Sequence, residues 1–179
     1  MRTSPLNALV ARLESVEALD DAAGPAGRAV RALIPDGVPK EVLSGAWLGH
    51  ALHPMLSDIP IGAWTSSVIL DWTGGEDCRS ASDRLILTGV LAAGATAATG
   101  WSDWADAEQG SAAVRRSGLV HAAANGTAAA LMISSYLARK RGARGLGRLL
   151  SLAGSAALGT GGWLGGHLSY TLGAGVASC

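Results

Sequence analysis

Three stretches of this chain, residues 85–102, 117–138 and 149–179, contain no Asp, Glu, Lys or Arg. A fourth, 54–73, is interrupted only by Asp58 and Asp71. A helix needs roughly 20 mainly apolar residues to cross the hydrocarbon core of a bilayer. A soluble bundle needs a polar face on every helix, and 85–102 and 149–167 offer only Thr, Ser and Gly for one. The expected fold is therefore all-α: an integral membrane four-helix bundle over residues 38–179, preceded by an amphipathic helical arm over 1–37. Four crossings place the start of helix one, the end of helix two, the start of helix three and the end of helix four on one side. His53, Asp103, His121 and His167 stand at those places.

The mean hydropathy of +0.28 is low for such a protein. The runs are built from Ala, Gly, Ser and Thr, and the chain has no Phe. Small residues score poorly on hydropathy but let membrane helices approach closely. At 179 residues the chain is one domain with an appendage. Its formal net charge of zero gives no footprint for nucleic acid. Cys78 and Cys179 form no metal motif. No nucleophile–base motif points to a hydrolase and no phosphate loop to an ATPase. Residues 1–33 carry charges throughout and lack the continuous apolar core of a signal peptide.

In the arm, Leu6, Leu9, Val10, Leu13, Val16 and Leu19 recur at helical spacing. Gly24-Pro25 is expected to end that helix. A second short helix, 26–33, stops at Ile34-Pro35-Asp36-Gly37. The arm is expected on the membrane surface or over the bundle, with a neighbouring protomer as the alternative cover for its stripe.

Pro54 suits the first turn of helix one, expected over 54–73. Pro60 then lies inside it, frees the carbonyl of Leu56 and bends the helix, so that Asp58 faces a cavity instead of lipid. The other helices are expected over 82–101, 117–138 and 147–170. Arg79, Arg84, Arg139, Lys140, Arg141, Arg144 and Arg148 gather at one end, against Lys40, Arg115 and Arg116 at the other. Positive residues favour the cytoplasm, so the histidine end is expected outside.

His53, His121 and His167 are the candidate metal or haem ligands, because imidazole serves both. His50 precedes helix one and reads as interfacial. Asn125 is four residues from His121 and shares its face, either orienting it or simply joining helices. Asp58 is a candidate to fix an imidazole tautomer, or else a helix-start charge favoured by the dipole. Asp71 reads as interfacial. Gly161/Gly165 and Gly162/Gly166 have the small-x-x-x-small spacing of tight packing, which also leaves room for a flat macrocycle beside His167 and Tyr170. The tryptophans read mostly as an interfacial belt.

Two functional readings follow. One is a small membrane electron-transfer protein holding haem b between two imidazoles, or zinc, copper or iron on His53, His121 and His167. The other is a non-catalytic membrane scaffold or interaction subunit whose polar cluster is structural.

The segment Gly49-His50-Ala51-Leu52-His53-Pro54-Met55-Leu56-Ser57-Asp58-Ile59-Pro60-Ile61-Gly62 resembles the first block of an uncharacterised bacterial membrane family, domain of unknown function 2231. Thr99-Gly100-Trp101-Ser102-Asp103-Trp104, the His121 segment and 161–170 are similar to its later blocks. The resemblance covers about 42–176 and implies a multi-pass protein of the bacterial cell membrane with no established activity. Some relatives carry a fused Rieske iron–sulfur domain, which implies redox company. This chain lacks the Rieske Cys/His pattern, so the implied partner, beside the lipid bilayer, is a separate iron–sulfur or other redox protein. Self-association is left open.

Overall fold

The computed structural model describes residues 5–175, all helix and connecting turns, with no strand among them. Cys179 lies outside the described residues. The arm holds α1 (Pro5–Glu14), α2 (Asp20–Leu33) and α3 (Val38–Ser44), with single 3₁₀ turns at Glu17–Leu19 and Ala46–Leu48. Four long helices follow: α4 (Leu52–Thr73), α5 (Arg79–Ala107), α6 (Ala112–Lys140) and α7 (Arg144–Tyr170). Residues 74–78, 108–111 and 141–143 connect them. Connections this short make consecutive helices antiparallel neighbours. α4 also packs on α7, and α5 on α6, so the four close into a ring.

The long helices outrun their expected bounds. α5 and α6 each have 29 residues, about 43 Å at the helical rise, against roughly 30 Å of hydrocarbon core. Their extra turns carry charge and stand beyond the apolar runs. At the start of α6 the Ser111 hydroxyl accepts from the Val114 amide at 3.4 Å, a helix cap. Between α6 and α7, Gly142 takes a φ of +82°, which only glycine adopts without strain.

One expectation about the arm is corrected. Gly24-Pro25 does not break it: α2 runs from Asp20 through Pro25 to Leu33. Pro25 falls in the second turn, where its missing N–H costs a single bond, to Asp21. The break comes earlier, where the Ser15 hydroxyl turns back on the Arg12 carbonyl at 2.7 Å. The apolar stripe is mostly uncovered. Val10 is buried, while Leu9 is 55% and Val16 43% exposed.

The interior of the bundle holds many polar side chains beside its apolar ones. Ser67, Asp71, Ser82, Thr99, Ser102, Ser117, Ser135, Arg139 and Ser151 are all buried. The outward positions of 85–102, 117–138 and 149–170 carry no charge, and in 54–73 only Asp58 is an exposed ionisable group. Large apolar side chains face out instead, among them Ile69, Leu91 and Leu149. Among the described residues α5 alone is long and apolar enough to cross a membrane by composition, its best 18 residues averaging 1.3 in hydropathy.

Midway along the bundle Trp64, Ile86, Ala128 and Met132 form a small apolar core. Trp64 is thus interior, its indole N–H on the Ile86 carbonyl at 3.2 Å. Trp104 is buried too and donates to the Arg115 carbonyl at 3.3 Å. Neither belongs to an interfacial belt; Trp47 and Trp72 remain exposed as the belt requires.

At the end away from the histidines Asp71 and Arg139 form a two-pronged ion pair with both side chains fully buried. The reading of Asp71 as interfacial is therefore corrected. The Ser82 hydroxyl donates to Asp71 at 2.8 Å. The Arg139 guanidinium also reaches the hydroxyls of Ser135 and Ser151. Arg144 pairs with Asp83 at 3.0 Å at the rim. Burying an ion pair requires that nearly every remaining donor be satisfied, and these hydroxyls, from α5, α6 and α7, do so around the Asp71 of α4.

Candidate functional site

His53 sits in the first turn of α4 and His121 in the third turn of α6, on opposite walls of the ring. Each has its Nδ1–H on a backbone carbonyl of the neighbouring helix. His53 donates to Thr96 of α5 at 2.9 Å. His121 donates to Gly161 of α7 at 2.8 Å. A carbonyl only accepts, so both neutral rings hold their proton on Nδ1 and carry the lone pair on Nε2. Their centroids are 6.3 Å apart, with planes at 80°.

Glycine makes these placements feasible. A Cβ on Gly100 would stand 2.6 Å from His53 Cε1, and one on Gly165 3.0 Å from His121 Cε1. A Cβ on Gly161 would meet the Asn125 amide at 2.5 Å. The Asn125 amide nitrogen lies 3.1 Å from His121 Nε2 and 3.4 Å from Nδ1. Near-equal distances put it beside the ring, off the in-plane lone-pair direction of Nε2. Its better-directed bond is to the His121 carbonyl at 3.0 Å.

The two imidazoles, Asn125 and Asp103 border a cavity of about 650 Å³. Trp64, Trp101, Trp104, Leu158 and the glycines of α7 make it largely apolar. Trp101 and Trp104 stack edge to face with centroids 5.2 Å apart. Tyr170 reaches its rim although its side chain is mostly exposed.

Two proposed site residues are placed elsewhere. His167 faces the arm, where its Nε2 pairs with Glu14 at 2.7 Å, and it does not border the cavity. Asp58 is exposed on the outside of α4. The role considered for it, fixing an imidazole tautomer, falls to the carbonyls of Thr96 and Gly161. His50 is exposed before α4, as expected. No group of three or more His, Cys, Asp or Glu stands ready to hold a metal ion among the described residues. Thr96 was not anticipated. Its signal was available: a hydroxyl on the helix facing the carbonyl that Pro60 frees.

The arm closes over this end. Arg116 and Arg115 both grip Asp20, at 2.6 and 2.9 Å. Together they hold its carboxyl well below the usual carboxylate range. Arg31 pairs with Glu108 at 2.9 Å, and Lys40 with Asp106 at 2.9 Å.

The family model described as predicted membrane protein (DUF2231) matches residues 49–178. The chain belongs to this family. The DUF2231 match takes in all four long helices, the cavity and the buried ion pair, and leaves α1, α2 and α3 outside it. No curated protein and no solved structure matches the chain.

Proposed function

We propose that this chain is a multi-pass membrane protein whose four long helices cross the bilayer and hold a b-type haem between His53 and His121, as a small electron-transfer unit. The observation that carries the reading is the matched pair of Nδ1–H bonds to Thr96 and Gly161. Imidazoles that ligate a metal characteristically donate their other N–H in this way. Two imidazoles sharing one metal, with metal–nitrogen bonds of about 2 Å, have ring centres roughly 6 Å apart. The 6.3 Å separation agrees with that spacing. Haem needs only axial ligands from the protein, whereas a closed zinc site takes four donors and a catalytic one three. With two imidazoles at the cavity, haem fits the donor set better than zinc, copper or a lone iron ion.

When bound, haem would supply one-electron transfer. The chain's own residues would hold the iron, fix the imidazole tautomers and keep water out with Trp64, Trp101 and Trp104. The exterior of the long helices, uncharged over these stretches apart from Asp58, supports the four crossings, since lipid needs no polar face. The basic residues at the Asp71–Arg139 end favour a cytoplasmic position for it and an extracytoplasmic one for the histidines. A separate iron–sulfur or other redox protein would exchange the electrons.

A second reading, a membrane scaffold, is favoured by the Asp71–Arg139 network, which joins all four helices without any ligand. An absorbance spectrum separates the two. Protein purified in detergent from cells supplied with haem should show a Soret band. The variants His53→Ala and His121→Ala should lose it. His167→Ala, His50→Ala and Asp58→Asn should keep it, because those side chains stand outside the cavity. Folded wild-type protein containing neither haem nor metal by absorbance and elemental analysis would leave the scaffold.

A further inference from the structure

The arm leaves apolar side chains uncovered on two sides of the histidine end. α1 lies against α6, and its Asn7 and Val10 line one side of an open crevice whose other side is Gly162, Trp163 and Gly166 of α7. Gly162 is nine residues from Thr171 on the same crevice, about 13 Å along the helix. α1 therefore lies against the side of the bundle, not over its top. Its outward positions include Leu9 and Val16. On another side α3 packs on α5 and presents Val38 and Val42, one helical turn apart, at 71% and 51% exposure. Trp47 follows at 65%, its indole N–H already on the Val42 carbonyl at 3.2 Å. Five residues later α4 begins.

We propose that these two outward faces are bilayer contacts: α1 and α3 bed into the lipid interface around the histidine end and anchor the arm there. The inference rests on the membrane reading of α4–α7. Its own support is continuity. Both faces adjoin the exterior of the bundle at its histidine end, which is uncharged apart from Asp58. Trp47 suits the headgroup level, where an indole buries its ring and keeps its N–H satisfied. Glu14 of α1 and Lys40 of α3 tie these two helices to the bundle through His167 and Asp106, while Leu9, Val16, Val38 and Val42 stay exposed. An amphipathic helix with that division lies in the interface plane.

Full-length protein lacking its cysteines, through Cys78→Ser and Cys179→Ser, would be reconstituted into phosphatidylcholine vesicles. Leu9→Cys, Val42→Cys, Glu41→Cys, Arg28→Cys and Leu91→Cys would each carry one fluorophore. Brominated acyl chains quench fluorophores in contact with lipid. Labels at positions 9 and 42 should be quenched several-fold more than those at 28 and 41, and approach the label at 91 on the outside of α5. Quenching at 91 with none at 9 and 42 would overturn the arm contact alone. Absence of quenching at 91 would overturn the membrane reading itself, and the arm contact with it. Unquenched labels at 9 and 42 that cross-link between chains would give the faces to a second copy instead.

Discussion

The hydroxyl of Thr96 lies 3.1 Å from the carbonyl of Leu56, the acceptor left vacant by Pro60 four residues on. It shares its proton with the Ala92 carbonyl at 3.0 Å, while the carbonyl of Thr96 takes the Nδ1–H of His53. One residue of α5 thus closes the proline gap in α4 and orients the cavity histidine.

Thr96→Val should therefore lower thermal stability in detergent by about 1–3 kcal/mol, the cost of a buried acceptor left unmade. Thr96→Ser should be close to wild type. In a Pro60→Ala background the Leu56 carbonyl regains its own helical donor, and Thr96→Val should cost less. Equal costs in the two backgrounds would show that the hydroxyl and the proline are not coupled.

Asp71→Asn should destabilise the bundle by roughly 3–5 kcal/mol, because it leaves the Arg139 guanidinium buried without its counter-charge. Asp71→Leu combined with Arg139→Met should cost less than Asp71→Leu alone. Unfolding in mixed detergent measures both. A double variant worse than the sum of its singles would contradict the pairing.

Neighbouring glycines of α7 should respond oppositely. Gly161→Ala drives a methyl into Asn125 and should cost about 1–3 kcal/mol through overpacking. Gly162→Ala meets nothing within 4 Å and should be neutral or stabilising by up to about 1 kcal/mol through helix propensity. Thermal midpoints of the two variants, read side by side, decide it.

The arm should detach in acid. Asp20 is held below its ordinary range by Arg116 and Arg115, so its contribution to docking is complete above about pH 4. It is lost as pH falls from there through the lowered range. Spin labels on Ala22→Cys and Ala112→Cys should give a narrow distance distribution at pH 7 that broadens below pH 4. Asp20→Asn should be broad already at pH 7. A distribution insensitive to both changes would place the latch elsewhere.

The four long helices were readable because absence of charge over a spanning length is a one-dimensional signal. So was the gathering of His53 and His121, which needs only alternating direction. The same logic misplaced His167: direction along a bundle says nothing about azimuth, and this ring points outward to Glu14. Asp71 and Arg139 were unreadable as a pair because 68 residues separate them and each taken alone looks like an interfacial charge. The run of α2 through Pro25 depended on where its first turn began, which the 3₁₀ turn before it decides. Which glycines matter depended likewise on what lies opposite, as Gly161 and Gly162 illustrate.

The buried acid and the buried base stand in different hairpins, Asp71 in α4–α5 and Arg139 in α6–α7. Each hairpin is closely packed within itself, yet carries into the bundle an ionised group that only the other can neutralise. Biogenesis is therefore ordered: the first hairpin synthesised keeps an unmatched carboxylate until the second arrives to shelter it. A chain stalled or cut after α5 leaves that carboxylate without its counter-charge. Two fragments divided between α5 and α6 carry the means to find one another again.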